Sequence, residues 1–181
     1  RPVDLLVNNA GFGTSGRFSD LPVAREDQEV QLNVLALMRL SHAALPGMIE
    51  RGGGNVLNIA SVAGLYPSPG SATYAATKAF VLSLSDALHE ELRGTGVCVT
   101  ASLPGLTRTE FHERSRSTVQ APEFAWGSAE AVAVASIDAA AAGRARVVPG
   151  GMNKALATAL AGMPAALRRR LAGSARQALS R

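Results

Sequence analysis

Three short apolar segments, each stopped by turn residues, constrain the fold of this 181-residue chain more than any other feature. Val3 to Val7 runs into Asn8-Asn9-Ala10-Gly11, Asn55 to Ala60 ends at Ser61, and Val97 to Ser102 stops at Pro104-Gly105. Apolar runs of this length bounded by turn signals read as buried strands. After the first, Val30, Val34, Leu37, Met38, Leu45 and Met48 recur at helical spacing from about Arg25 to Glu50, and Pro46 is expected to loosen the last turn. Gly52, Gly53 and Gly54 then break the chain. A second long helix is predicted from about Thr73 to Arg93, ended by Gly94 and Gly96. Strands that lead into helices through short glycine-rich loops build a parallel α/β sheet with flanking helices. Further on, a short helix is expected around residues 110–115, and Ser128 is placed to cap a helix over 129–142. Val147-Val148 reads as a last short strand, and the tail from Asn153 as helical with a break at Pro164.

Composition narrows the class. Hydrophobic residues make up 47% and charged residues 18%, which excludes a disordered chain. No uninterrupted apolar run reaches the roughly 18–20 residues of a membrane-spanning helix, and Arg1-Pro2-Val3-Asp4 lacks the pattern of a signal peptide. Cys98 is the single cysteine, so an internal disulfide or a cysteine-based zinc site cannot form, and no metal site is expected. In Val97-Cys98-Val99-Thr100 it is expected to be buried and inert, and a reducing, cytoplasmic compartment fits. The formal net charge of +4 is uneven: from residue 140 onward there are eight basic residues and no acidic one. Without a nucleic-acid motif, this basicity is a property of the tail and not the footprint of a nucleic-acid-binding domain.

Tyr74 and Lys78 stand four apart on the second predicted helix, so they share one face. A free phenol titrates near about pH 10, too high for a base at neutrality. An ammonium about 5 Å away, at an effective dielectric of about 20, favours the phenolate by about 3 kcal/mol, or roughly two pKa units. That places a phenol where it can give and take a proton. Ser61 closes a strand thirteen residues earlier, at the carboxyl edge of the sheet where open α/β folds place ligands. A hydroxyl there can hydrogen-bond a substrate carbonyl.

Asn8-Asn9-Ala10-Gly11, Asn33 in Leu-Asn-Val, Ser61, Tyr74-x-x-x-Lys78 and Pro104-Gly105 occur in order and at a spacing that resembles the short-chain dehydrogenase/reductase family, over about residues 1–110. The resemblance implies a Rossmann-like parallel sheet and an NAD or NADP cofactor. It implies that Tyr74 is the general acid/base, that Lys78 lowers its pKa and holds the nicotinamide ribose, and that Ser61 orients the carbonyl or hydroxyl. Asn33 supports a water relay. Asn9, Ala10 and Gly11 lie beside the cofactor together with Tyr74 and Lys78, and Pro104, Gly105, Thr107 and Thr109 contact the nicotinamide and its phosphates. The implied reaction is interconversion of a secondary alcohol and a ketone by hydride transfer. An epimerase or dehydratase on the same fold, or a non-catalytic binding module, is the alternative.

Gly11-x-Gly13-x-x-Gly16 fits the spacing of a dinucleotide fingerprint, but the resemblance places the strand before it fourth in the family's sheet. The first βαβαβ portion, roughly 70–80 residues by resemblance, is missing, so the chain is expected to be a fragment of a longer reductase. Residues 1–150 would be its catalytic half and 151–181 a basic amphipathic tail. Val3–Val7 would then be an unpaired apolar edge. In the tail, Leu156, Leu160, Met163, Leu167 and Leu171 form a stripe opposite Arg168, Arg169 and Arg170. A helix packed over the substrate pocket or against another subunit is the preferred reading, and contact with an anionic membrane surface the other. A homo-oligomer through the two long helices is expected by resemblance. Phe111, Phe124 and Trp126 are expected to form an apolar pocket wall.

Overall fold

A computed structural model of the chain describes residues 2–111, 115 and 121–179, with side chains through 173. Strands β1 (Leu5–Asn8), β2 (Gly54–Ile59) and β3 (Val97–Ser102) form one parallel sheet. The two-residue β6 (Arg146–Val147) completes it in the order β1-β2-β3-β6. A second pair, β4 (Thr107–Arg108) with β5 (Gly127–Ser128), ties the segment after β3 to the start of the next helix. The helices are α1 (Val23–Glu50), α2 (Ala72–Glu91), α3 (Ala129–Ala141), α4 (Gly151–Ala161) and α5 (Ala165–Leu179). This is the Rossmann-like arrangement of a parallel sheet between helices.

Strand alternation assigns the two faces. Val97, Val99 and Ala101 point one way into clusters with Met48, Val56 and Leu92 and with Leu37, Val81 and Leu82, which belong to α1, α2 and β2. Ser102 points the other way, where its hydroxyl meets that of Ser136 on α3 at 2.7 Å. Polar side chains stitch the α1/α2 face. Asn8 Nδ2 donates to Ser41 Oγ at 3.0 Å and to Asn58 Oδ1 at 2.8 Å, and Asn58 Nδ2 donates to Ser85 Oγ at 2.9 Å. Each donor named here is satisfied, as burial demands. Gly96 closes the turn before β3 at φ 79°, and a Cβ there would lie 2.0 Å from the Gly52 carbonyl oxygen, so only glycine fits.

The long first helix differs from expectation. Pro46 leaves it continuous to Glu50; the irregularity lies instead at Gln31–Ala36, which is π-helical. A proline in the last turn loses little, because the break at Gly52 already ends the ladder. At 28 residues, with an 18-residue window of mean hydropathy 1.3, α1 is also long and apolar enough to cross a membrane. Counting uninterrupted apolar runs misses this, because Asn33, Ser41 and His42 interrupt it. In the fold, Leu37, Ser41 and Met48 pack inward from this helix as a core helix does.

Ser128 caps α3 as expected, its Oγ accepting from the Ala131 N–H at 3.1 Å. Cys98 is half-buried, with Sγ 3.7 Å from His89 Nδ1, rather than sealed in the core. The expected short helix at 110–115 falls mostly outside the described residues. On β1, Val3, Leu5 and Val7 are 41–47% exposed on the face shared with α3. The tail begins at Gly151 and breaks at Pro164, so its leucine stripe is divided between two helices. Leu160 is buried, whereas Leu156, Leu167 and Leu171 are exposed. Arg168 folds the tail back, donating to the Leu65 carbonyl at 2.9 Å.

Candidate active site

The carboxyl ends of β1, β2 and β3 open onto a cavity of about 490 Å³. Asn9, Gly11, Ser61, Tyr74, Lys78, Pro104, Thr107 and Thr109 all line it, so most of the residues picked out from sequence meet in one place. Ala10, Gly105 and Asn33 do not line it. A Cβ on Gly105 would lie 2.1 Å from Asn153 Oδ1, so this glycine makes room for the start of α4.

Ser61 ends β2 and starts a short 3-10 turn, Val62–Leu65. Its Oγ accepts from the Ala63 N–H at 3.1 Å and lies 3.4 Å from the Pro104 carbonyl. That turn presses on α2 at Gly64, where a Cβ would sit 2.8 Å from the backbone carbonyl of Lys78. The close approach sets α2 against the end of β2, and with it Tyr74 and Lys78. Lys78 is buried, and its Nζ donates to the Ile59 carbonyl at 2.8 Å. The same Nζ lies 5.8 Å from the centre of the Tyr74 ring.

Electrostatics here departs from the expectation that the ammonium pulls the phenol down. Burial pushes Tyr74 above its ordinary value, and Glu29 and Tyr66 push it the same way; only the Ser61 hydroxyl facing it works downward. Burial also lowers Lys78 to about 8, against an opposing effect of Glu29. With its ammonium anchored on Ile59, Lys78 is itself partly neutralised near neutrality, and desolvation dominates both groups.

Asn33 stands behind the cavity on the π-helical turn. Its Oδ1 accepts from the Phe12 N–H at 3.1 Å, and its Nδ2 donates to the Phe12 carbonyl at 2.8 Å and to Thr77 Oγ1 at 3.2 Å. The side chain thus clamps the loop after β1 to α2. A π-turn adds a residue to one helical turn and often marks a functional site. Thr107 and Thr109 line the cavity, yet their hydroxyls hold local turns, at the Gly105 carbonyl and the Phe111 N–H respectively.

Several neighbours escaped the sequence reading. Gly13 makes room for the catalytic-face aromatics: a Cβ there would lie 3.0 Å from Tyr74 Cδ2 and 3.1 Å from Phe111 Cζ. No helix opens after Gly16, in keeping with its rejection as a dinucleotide fingerprint; α1 starts only at Val23. Phe111 lines the cavity and packs on Tyr74 with ring centres 5.3 Å apart. Phe124, expected in the same wall, is instead exposed, and Trp126 is held outside by a bond to the Ala121 carbonyl at 3.3 Å. Val132, Ala133 and Ile137 of α3 supply the remaining apolar wall. Glu29, fully buried near the pair, was also missed; its helical spacing of four from Asn33 was the available signal.

The sequence model for short chain dehydrogenases matches residues 1–120. The chain is 38% identical over 125 residues to the ketoacyl reductase HetN of Nostoc sp., an alignment covering 68% of this chain and 43% of that protein. It spans about half the length of the curated relatives it matches. Among solved structures, a short-chain dehydrogenase from Sphingobium yanoikuyae in complex with NADPH superposes with a TM-score of 0.75 at 33% identity, covering 98% of this chain and 64% of that one. A short chain dehydrogenase from Burkholderia cenocepacia in complex with NADP gives 0.78 at 26% identity, covering 92% and 68%. With the family model matching well over half its residues, this chain belongs to the short-chain dehydrogenase family.

Proposed function

We propose that this chain supplies the proton-transfer half of an NAD(P)-dependent oxidoreductase that interconverts a secondary alcohol and a ketone. The observation that carries the reading is the convergence of Ser61, Tyr74 and Lys78 on one cavity at the carboxyl edge of the sheet. A nicotinamide cofactor, when bound, supplies or accepts the hydride. The residues present suit it: Lys78 uses one of its three N–H donors on Ile59, which leaves two for ribose hydroxyls. Asn9, Ala10 and Gly11 would border it on one side, and Pro104, Gly105, Thr107 and Thr109 on the other.

In carbonyl reduction, Ser61 orients the carbonyl oxygen and Tyr74 delivers its proton to that oxygen. The elevated pKa of Tyr74 keeps the proton in place until then. Lys78 holds the sugar and stabilises the phenolate left behind. Asn33 positions rather than reacts, because its side chain is committed to Phe12 and Thr77. Phe111, Val132 and Ile137 favour a substrate with an apolar group.

Residues 1–150 form the catalytic half in this reading, and residues 151–181 a tail held to it through Arg168. The test is absorbance of NAD(P)H on mixing the protein with a panel of ketones. Substrate-dependent loss of absorbance supports the reading. Product formation without any net redox change contradicts it and points to epimerisation or dehydration.

A further inference from the structure

Glu29 lies on α1 one turn before Asn33 and is 0% exposed. Neither of its carboxylate oxygens has a hydrogen-bond partner among the described residues. One turn earlier, Glu26 is also buried; its Oε2 accepts from the Thr73 hydroxyl, while its Oε1 has no partner. Thr14, from the loop after β1, faces Glu29 with a buried hydroxyl that has no other partner. An unpaired buried carboxyl is costly, so a fold that keeps one without donors invites a functional account.

The groups around it supply that account. Glu26 faces Glu29 from its own helix, Thr14 from the loop, and Lys78 and Tyr74 from α2. The Lys78 ammonium donates to a neutral carbonyl, that of Ile59. Among the described residues, Glu29 is the acidic group that acts on Lys78 through its charge.

Building on the assignment of Tyr74 and Lys78 as the proton-transfer pair, we propose that Glu29 is a positioning residue for it: a buried counter-charge that holds Lys78 as ammonium and Tyr74 as phenol. Ionised, it favours the cation on Lys78 and disfavours the anion on Tyr74. Both effects set the pair for donating a proton, the direction of carbonyl reduction. Burial raises Glu29 from 4.5 to about 7, with Glu26 adding to the rise and Thr14 opposing it. Lys78 is lowered to about 8. The two groups therefore change charge as a coupled pair around neutrality, and the bias is present between these values and fades below about 7 as Glu29 takes up its proton.

The test is NMR titration of carbon-13-labelled lysine in the intact protein, which needs neither cofactor nor substrate. The chain has two lysines, Lys78 and Lys154, so their signals are assigned with one substitution. In Glu29→Gln, which keeps the shape and removes the charge, the Lys78 midpoint moves to lower pH. In Thr14→Val, loss of the opposing hydroxyl raises Glu29 further and moves Lys78 the same way by less. An unchanged Lys78 midpoint in a folded Glu29→Gln protein overturns the proposal. Should that variant not fold, the Glu29 side-chain carboxyl is titrated in the unmodified protein. A midpoint of about 7 upholds the proposal, and one at the ordinary 4.5 overturns it. Failure of the oxidoreductase reading would show separately, as absent hydride transfer with the lysine shift intact.

Discussion

Lys78 donates a 2.8 Å hydrogen bond to the carbonyl of Ile59. The ammonium of the proton-transfer pair is thereby tied to the last residue of β2 and registers α2 against the sheet. Sequence spacing placed Lys78 beside Tyr74, but this bond fixes where it stands.

Gly64 sets the same registration from the other side. A Cβ there would lie 2.8 Å from the Lys78 backbone and 2.9 Å from the Ala79 nitrogen, neither of which can swing aside. Gly64→Ala is expected to destabilise the fold by about 1–3 kcal/mol and to misplace Tyr74 and Lys78 together. Urea unfolding reads the first effect, and lysine NMR of Lys78 the second.

Asn58 bridges Asn8 on β1 and Ser85 on α2. Asn58→Ala removes both bonds inside the core and is expected to cost about 2–3 kcal/mol. The loss should appear in the urea midpoint with the slope unchanged, since the same surface is exposed on unfolding.

The two shifted groups make opposite contributions to stability against pH. Folded Glu29 holds its proton up to about 7, against 4.5 as its ordinary value, so its contribution is full below 4.5 and lost as pH rises through 7. The amount is about 3 kcal/mol. Lys78, lowered from 10.5 to about 8, binds its proton less well when folded, so stability rises again with pH between 8 and 10.5. A trough near pH 7–8 is expected. Urea unfolding of Glu29→Gln at pH 5 and pH 7 should show the acid-side slope reduced, and an unchanged slope would count against the shift.

Leu40 is 54% exposed on α1 and Phe80 is 37% exposed on α2. Covering these two helices by a second copy is the oligomer that the resemblance implies. Light scattering after size-exclusion should give a multiple of 18.7 kDa for the unmodified chain and a smaller mass for Leu40→Glu. A monomer in both cases contradicts this interface.

Much of this was legible in the sequence, for identifiable reasons. The three central strands are continuous apolar runs closed by turn residues, a pattern that burial on both faces imposes. Tyr74, Lys78 and Ser61 were readable because their chemistry needs one helix face and one strand end. The direction of the Tyr74 shift was not, because spacing reports distance while desolvation depends on what packs around both groups. The π-turn at Gln31–Ala36 was equally hidden: its residues have ordinary helical periodicity, and the clamp that Asn33 makes on Phe12 is visible only in three dimensions. Phe124 and Trp126 misled because an aromatic in a loop carries no record of which way it faces.

The central claim is that Tyr74 transfers the proton. It is tested most directly by following NAD(P)H absorbance with a ketone that the unmodified protein reduces, in Tyr74→Phe and in Tyr66→Phe. Loss of the Tyr74 hydroxyl should lower kcat by about 10²–10⁴-fold. Tyr66→Phe should retain turnover, since Tyr66 does not line the cavity. A Tyr74→Phe protein that reduces the ketone as fast as its parent would contradict the account.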